Sequence, residues 1–467
     1  MIAISLAVST VALNLVLGGF LPTPTQSASP APPPTPPPAE SRVAPQPLLA
    51  AAEVAGLNVG IWAFNHYVTN SFYSYLSWET MRDNFRDGWE WDRSLFFTNF
   101  YNHPLSGNFF FNAGRASGLG YWGSSLATLG GSLMWEMVME KHRPSINDLV
   151  TTTAGGCVFG EVLHRFSSLV RKREARGLDR VWRETVGAIL DPIGGANRLL
   201  NGRADYVLGL PECPDSGRII NGQLFLAGPI AARSAGIASA PAAPLLEFTL
   251  NYGDPAGTGW SGKPFDVFSV RGRLGWWSGD PHLTVFIHGA LFGKTIPGRN
   301  GARHFLSLCQ QYDYYGFDTM RVSGTSFTGG WTSRFEFDTG ARLTAAARLG
   351  WLGLGGSDDF LDVEGEWRNY NLSTGVTAAA DVSAGSKTFE YFSLIWRHYT
   401  LFNLKVINSR VGRETWDILL GRISFPVWSS LGIGLEAEYC SRRFDLRDFA
   451  PGSRRLAEAR AFITWQF

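Results

Sequence analysis

The chain has 467 residues, and its 41 basic and 40 acidic side chains give a formal net charge of +1, which excludes a nucleic-acid binder of the basic-groove kind. Charged residues are only 17% of the chain, with 53 glycines, 32 phenylalanines and 17 tryptophans, so neither a disordered chain nor a plain cytosolic enzyme fits. A mean hydropathy of -0.03 is too low for a bundle of lipid-spanning helices.

Met1 to Phe20 is an uncharged apolar run followed by the small residues Ser27, Ala28 and Ser29, the pattern of a secretory signal peptide over residues 1–29. It lacks a Lys or Arg near the start, so an upstream start or an uncleaved anchor is the other reading. No cysteine follows the run, which argues against a lipoprotein anchor. Eleven of the 25 prolines lie between Pro22 and Pro47, and residues 30–47 therefore form an extended tether. Cys157, Cys213, Cys309 and Cys440 are far apart without metal-ligand spacing. They form no disulfide framework, and one pair at most could oxidise.

From 48 to 205 the period is helical. Helices are expected after His103-Pro104, from Tyr121 to Glu140, and from Ser145, which can cap the third with Asp148 closing the box. The middle helix follows Arg115 and has twenty uncharged residues before Glu136, long enough to cross a bilayer. Its composition argues otherwise: Gly120, Ser124, Thr128, Ser132, Glu136 and Glu140 form a stripe of small residues ending in acids. Asp148, Thr152, Gly156, Gly160 and His164 form a second stripe. The two predict an antiparallel hairpin with close backbone approach, Glu140 near Asp148 and Glu136 near Thr152. Its polar content also keeps the chain from lodging in the inner membrane.

Trp91-Asp92, Asn102-His103-Pro104, Gly107, Asn112 with Arg115, Gly131-Ser132, Trp135-Glu136, Pro144-Ser145-Ile146-Asn147-Asp148, Gly155-Gly156, Gly160-Glu161, Arg165, Asn197-Arg198 and Gly202-Arg203 follow in order. Over about residues 65 to 205 this run resembles the bacterial outer-membrane proteins catalogued as domain of unknown function 3943. The resemblance implies an outer-membrane setting and carries no established activity.

The polar residues of this region, Asn112, Arg115, Ser132, Glu140, Ser145, Asn147, Glu161 and Arg165, form a binding or structural cluster. In the structural reading Arg115 pairs with Glu136, and Glu161 with Arg165 one turn on. A catalytic reading takes His103 or His164 as base, Glu136 or Asp148 as its orienter and Ser132 or Ser145 as nucleophile on a lipid ester. No GxSxG turn supports it. A metal site at Glu136, Glu140 and Asp148 lacks the Glu-x-x-His of di-iron bundles. No metal or cofactor is therefore expected. Seven basic residues between Arg165 and Arg183, against Glu174 and Asp179, read as a solvated helix face or a contact with anionic lipid headgroups.

After a linker at 206–218, period two dominates residues 219–467. Leu431, Ile433, Leu435, Ala437 and Tyr439 point one way, while Gly434, Glu436, Glu438, Cys440 and Arg442 point the other. Val270, Gly272, Leu274 and Trp276 alternate with Arg271 and Arg273, and Leu343, Ala345, Ala347, Leu349 and Trp351 repeat the pattern. Trp276, Trp277, Trp351, Trp396 and Trp428 suit aromatic girdles at the membrane interfaces. The chain ends on Ala461, Ile463, Trp465 and Phe467, an alternating strand with a terminal aromatic, which resembles an outer-membrane sorting signal. Strands near 219, 245, 264, 281, 303, 320, 338, 370, 387, 414, 430 and 454 number twelve. Only Pro426 and Pro451 follow Pro297, as paired strands require.

The expected fold is α+β: a small helical domain, then a C-terminal antiparallel transmembrane barrel of about twelve strands in the bacterial outer membrane. The helical domain is expected to be periplasmic or in the barrel mouth. The expected partners are outer-membrane lipids and, during biogenesis, the barrel-assembly machinery. A lumen of this size is filled by side chains and one helix at most, so the leading function is lipid or small-solute binding or passage, with the helical hairpin as plug or gate. The competing one is a lipid-modifying hydrolase using His103, Glu136 and Asp148.

Overall fold

A computed structural model describes residues 44–92, 94–171, 175–201, 219–235, 244–257, 260, 262–275, 282–317, 320–358, 370–406, 410–447 and 449–467. The expected signal peptide, most of the tether, the 206–218 linker, Trp276 and Trp277 lie outside these residues. Contacts divide the chain into two units. The first takes in Met1–Trp89, Pro104–Pro144 and Phe159–Cys213; the second takes in Glu90–His103, Ser145–Val158 and Pro214–Phe467.

Twelve strands build the second unit: β1 (Ile219–Ala235), β2 (Leu245–Tyr252), β3 (Phe268–Gly275), β4 (His282–Pro297), β5 (Arg303–Phe317), β6 (Met320–Glu336), β7 (Arg342–Asp358), β8 (Tyr370–Gly385), β9 (Glu390–Asn403), β10 (Gly412–Trp428), β11 (Leu431–Leu446) and β12 (Gly452–Gln466). Each pairs antiparallel with its neighbours, and β1 pairs with β12 to close the barrel. The even, closed antiparallel ring is the outer-membrane type, which leaves no unpaired edge in lipid. The expected number and order of strands are the observed ones.

Alternation places apolar side chains outside. Leu349 and Trp351 on β7, Phe425 and Val427 on β10, and Ile433 and Leu435 on β11 are half or more exposed. Besides Pro297, which ends β4, the described strands contain Pro229 and Pro426, and both sit at register shifts, where a missing N–H costs no ladder bond. Reversals at the rim carrying the C-terminus are mostly short. In one of them Asn300 and Gly301 both adopt positive φ, the geometry of a tight hairpin turn.

The first unit contains α1 (Pro47–Tyr67), α2 (Trp78–Asp87), most of α3 (His103–Ala116), α4 (Tyr121–Met134) and much of α6 (Gly156–Val170), then α7 (Gly177–Leu190) and α8 (Pro192–Leu200). Among the described helices only α1 is long and apolar enough to cross a membrane, by length and composition alone. The α4 stripe is buried through Ser124, Thr128 and Ser132, and it meets α3: a Cβ on Gly114 would lie 2.8 Å from the Ser124 main chain. Gly160 of the second stripe packs on Phe111 of α3 in the same way. The close approaches that the small residues permit are thus to α3.

The short helix α5 (Ile146–Val150) belongs to the barrel unit. Ser145 caps it, accepting from the Asp148 N–H at 3.2 Å. Wide five-residue turns, Thr98–Asn102 and Thr151–Gly155, lead into α3 and α6. Such turns loosen the helical ladder and free carbonyls for other donors. Barrel side chains use them: Tyr312 Oη donates to the Phe100 carbonyl and Gln310 Nε2 to that of Ala154 at 2.9 Å. Phe96 packs tilted against Tyr314, and Phe96 and Phe100 both meet Tyr370 edge to face.

These contacts bear on the part of the expected plug that belongs to the barrel unit. On β5, Leu306 and Leu308 are exposed and point outward; Gln310, Tyr312 and Tyr314 continue that phase. Phe305, Ser307 and Cys309 face the lumen. Residues 90–103 and 145–158 therefore lie against the outer wall of the barrel. Gly356 lets them sit close, since a Cβ there would come within 2.5 Å of the Phe100 ring.

Candidate functional site

His103 and Asp148, both in the barrel unit, come together as the catalytic reading expects. His103 Nε2 is 3.5 Å from Asp148 Oδ1, and its Nδ1 is 3.1 Å from Thr152 Oγ1. Asn147 stitches the same group, donating to Asn99 at 2.6 Å and Asp148 at 2.9 Å while accepting from the Asp92 N–H at 2.8 Å. The expected nucleophiles take no part: Ser145 serves as the cap, and Ser132 is buried on α4 in the first unit. Glu136 also belongs to the first unit, where Asn84 donates to its carbonyl at 3.5 Å.

In the first unit the expected Arg115–Glu136 pair is replaced. Arg115 Nε lies 3.1 Å from Glu161, and Arg165 Nε lies 2.7 Å from the same carboxylate. Burial pushes the Glu161 carboxyl up, but the two arginines outweigh it and hold it below the usual carboxylate range. His164 pairs with Asp191 at 3.0 Å, and Asp191 also caps α8. Asn112 donates to Asn108 at 2.7 Å, and Glu140 accepts from Trp135 at 3.0 Å. The basic stretch is largely neutralised inside the unit: Arg171, Arg180 and Arg198 converge on Glu184, and Arg183 binds Asp179. Arg165, Arg171 and Arg183 are buried, so these three are not part of a solvated or headgroup-facing surface, while Arg176 is exposed and Lys172 and Arg173 lie outside the described residues.

The barrel interior concentrates more charge. Glu247 on β2, Arg273 on β3, Arg422 on β10, Glu436 and Glu438 on β11, and Glu458 and Arg460 on β12 are nearly fully buried. Arg273 reaches Glu436 at 2.6 Å, Glu438 at 2.9 Å and Glu247 at 2.7 Å. Arg422 binds Glu436 at 2.5 Å and also Glu247, and stacks 4.1 Å over Phe225. Arg460 holds Glu436 at 2.9 Å, Glu438 at 2.8 Å and Glu458. Tyr315 on β5 donates to Glu438 at 3.2 Å, and in the ring order those two strands are diametrically opposed.

Next to this layer lies an apolar packing that includes Phe317, Met320, Leu352, Leu401 and Trp416, drawn from five strands. Towards the C-terminal rim the lumen opens instead into a cavity of about 480 Å³. Its wall includes His288, Arg348, Asp381 and Arg397. Asp381 takes Arg348 at 2.5 Å and Arg397 at 2.7 Å, and Arg348 lies 3.3 Å from His288. The phase of the charges on β3 and β11 was readable from sequence. The Arg348, Asp381 and Arg397 group was missed, although each occupies the inward phase of its strand.

The residues expected to act as a sorting signal lie at the end of β12, next to β1. Phe467 exchanges main-chain hydrogen bonds with Gly222 at 2.8 and 2.9 Å, and its ring lies 4.7 Å from that of Trp465.

Residues 88–193 match the family model described as Domain of unknown function (DUF3943). The chain carries this domain over less than a quarter of its length, within the span where the motifs resemble it. No curated protein matches the chain. Among solved structures it is similar to the NanC porin, at 10% identity over 52% of this chain and 98% of that one, with a TM-score of 0.25. The outer membrane channel DcaP of Acinetobacter baumannii gives 8% identity, 53% and 95% coverage and 0.19. OmpT of Vibrio cholerae gives 8%, 53% and 98%, and 0.19. Scores this low carry no argument, and the barrel assignment rests on the strand order and the apolar outer face.

Proposed function

We propose that this protein is an outer-membrane barrel for small-solute binding and passage, held shut at rest by its own Arg/Glu layer. The observation that carries the reading is the layer itself: three arginines and four glutamates from β2, β3, β10, β11 and β12 bonded to one another, with Tyr315 of the opposite wall donating to Glu438. A charge layer can exchange its bonds for water or for a charged solute, and the apolar packing beside it must shift with it for a solute to pass. The short turns favour a periplasmic C-terminal rim, with Trp465 and Phe467 read by the assembly machinery and the apolar belt held by outer-membrane lipids. In planar bilayers the native protein is expected to conduct poorly, and Arg422→Ala with Arg460→Ala to raise conductance about tenfold. Equal silence from native and variant sinks the gate.

A lipid-modifying hydrolase is the second reading, favoured by one observation: His103 lies between Asp148 and Thr152 in the order of a nucleophile triad. If Thr152 is the nucleophile, purified protein releases fatty acid from phospholipid micelles, and His103→Ala abolishes that release while the barrel still folds. No release from the native protein removes this reading.

A further inference from the structure

We infer that the cavity at the C-terminal rim binds a small solute carrying two or more anionic groups, carboxylate or phosphate. Its wall includes six cationic side chains and two carboxylates, Asp381 and Glu390; Asp254 holds Arg334 at 2.7 Å and Glu336 holds Arg342 at 3.0 Å, which leaves Arg271, Arg348, Lys387 and Arg397 facing the two. Asp381 alone answers both Arg348 and Arg397. Arg271 lies 3.6 Å from Glu247, whose oxygens are already taken by Arg273 and Arg422.

The excess charge comes with unused donors. Arg348 is 7% exposed, yet among the described residues its Nε has no hydrogen-bond partner, and neither has Arg271 Nη1. Buried guanidinium N–H groups left unpaired are costly, and a water or ligand oxygen entering from the cavity would satisfy them. Arginine forks suit planar carboxylate and tetrahedral phosphate alike. Lys387 sits in the turn between β8 and β9, where a cation raises the local concentration of anions at the mouth. The volume, about 480 Å³, falls in the range of small-molecule sites, roughly 300 to 1,000 Å³.

The inference rests on the reading of the barrel as a solute-binding protein, but its test needs no passage. Calorimetric titration of the full chain in detergent micelles uses citrate, inorganic phosphate and, as the uncharged probe, sucrose. Citrate or phosphate is expected to bind saturably, more weakly as salt rises, and sucrose not at all. Preference for citrate identifies a carboxylate solute, and preference for phosphate a phosphorylated one. Arg271→Gln and Arg348→Gln are each expected to weaken binding about tenfold, while Arg455→Gln, on the outward face of β12, leaves it unchanged. Heat-dependent gel migration reports folding, and Arg271→Gln decides alone if Arg348→Gln does not fold. The site is overturned by no saturable binding of either anion, or by unchanged affinity in the folded variants. A protein that binds citrate yet stays silent in bilayers loses the gate and keeps the site.

Discussion

Glu436→Ala is expected to lower the unfolding stability of the barrel by about 3–5 kcal/mol, the loss typical when one partner of a buried ionic network is removed. Glu436 takes Arg273, Arg422 and Arg460 at once, so its deletion leaves three buried guanidiniums with fewer acceptors and a net positive layer. The main cost is this uncompensated charge, because the pairs themselves roughly break even against their desolvation. Glu436→Gln keeps the shape and one acceptor oxygen and is expected to cost less. Denaturant titration in micelles, read by tryptophan fluorescence, measures both. A Glu436→Ala midpoint indistinguishable from native contradicts the assignment of this layer as a closed network.

In the helical unit the equivalent change is Glu161→Ala, expected to cost about 3–5 kcal/mol locally by stranding Arg115 and Arg165. Hydrogen exchange over α3 and α6 in the full chain reads the effect, and unchanged protection refutes it. The pH dependence has a definite sign. The folded carboxyl is held below its usual value by the two arginines, so its contribution is complete above the unfolded value, about 4.3. It fades as pH falls through the lower folded value. Protection in the native protein should therefore drop in acid below about pH 4.3, and Glu161→Gln should lack this part of the drop.

The strands could be read from sequence because a two-residue period leaves little choice of face: Leu431 to Arg442 declares its lipid side and its lumen side without help from any other strand. The network could not be read, because Arg273 and Glu436 become neighbours only when β1 and β12 close the ring. Arg115 shows the same limit in the helices. Glu136 lies on one small-residue stripe and Glu161 next to the other, and only the packing of α3 on α6 selects Glu161. Tyr312, Tyr314 and Tyr370 show a further limit. They lie in the outward phase, where an aromatic ring in lipid and an aromatic ring under a protein segment have the same sequence pattern. Arg171 and Arg183 looked solvated because their acids, Glu184 and Asp179, lie on another helix or one turn away.

The covered outer wall also sets an order of events in the life of the chain. Tyr312 Oη and the Phe100 carbonyl are 212 positions apart, and contacts of such separation are closed late because the intervening loop must first lose its freedom. Residues 90–103 and 145–158 are synthesised before β5 to β8 exist, yet their seat is the finished face of those strands. They must wait, with Phe96 and Phe100 exposed, until four later strands have paired. Docking them is then the step that completes the native protein, and a chain halted before it would present a fully formed ring with an unsatisfied strip of tyrosines on its side.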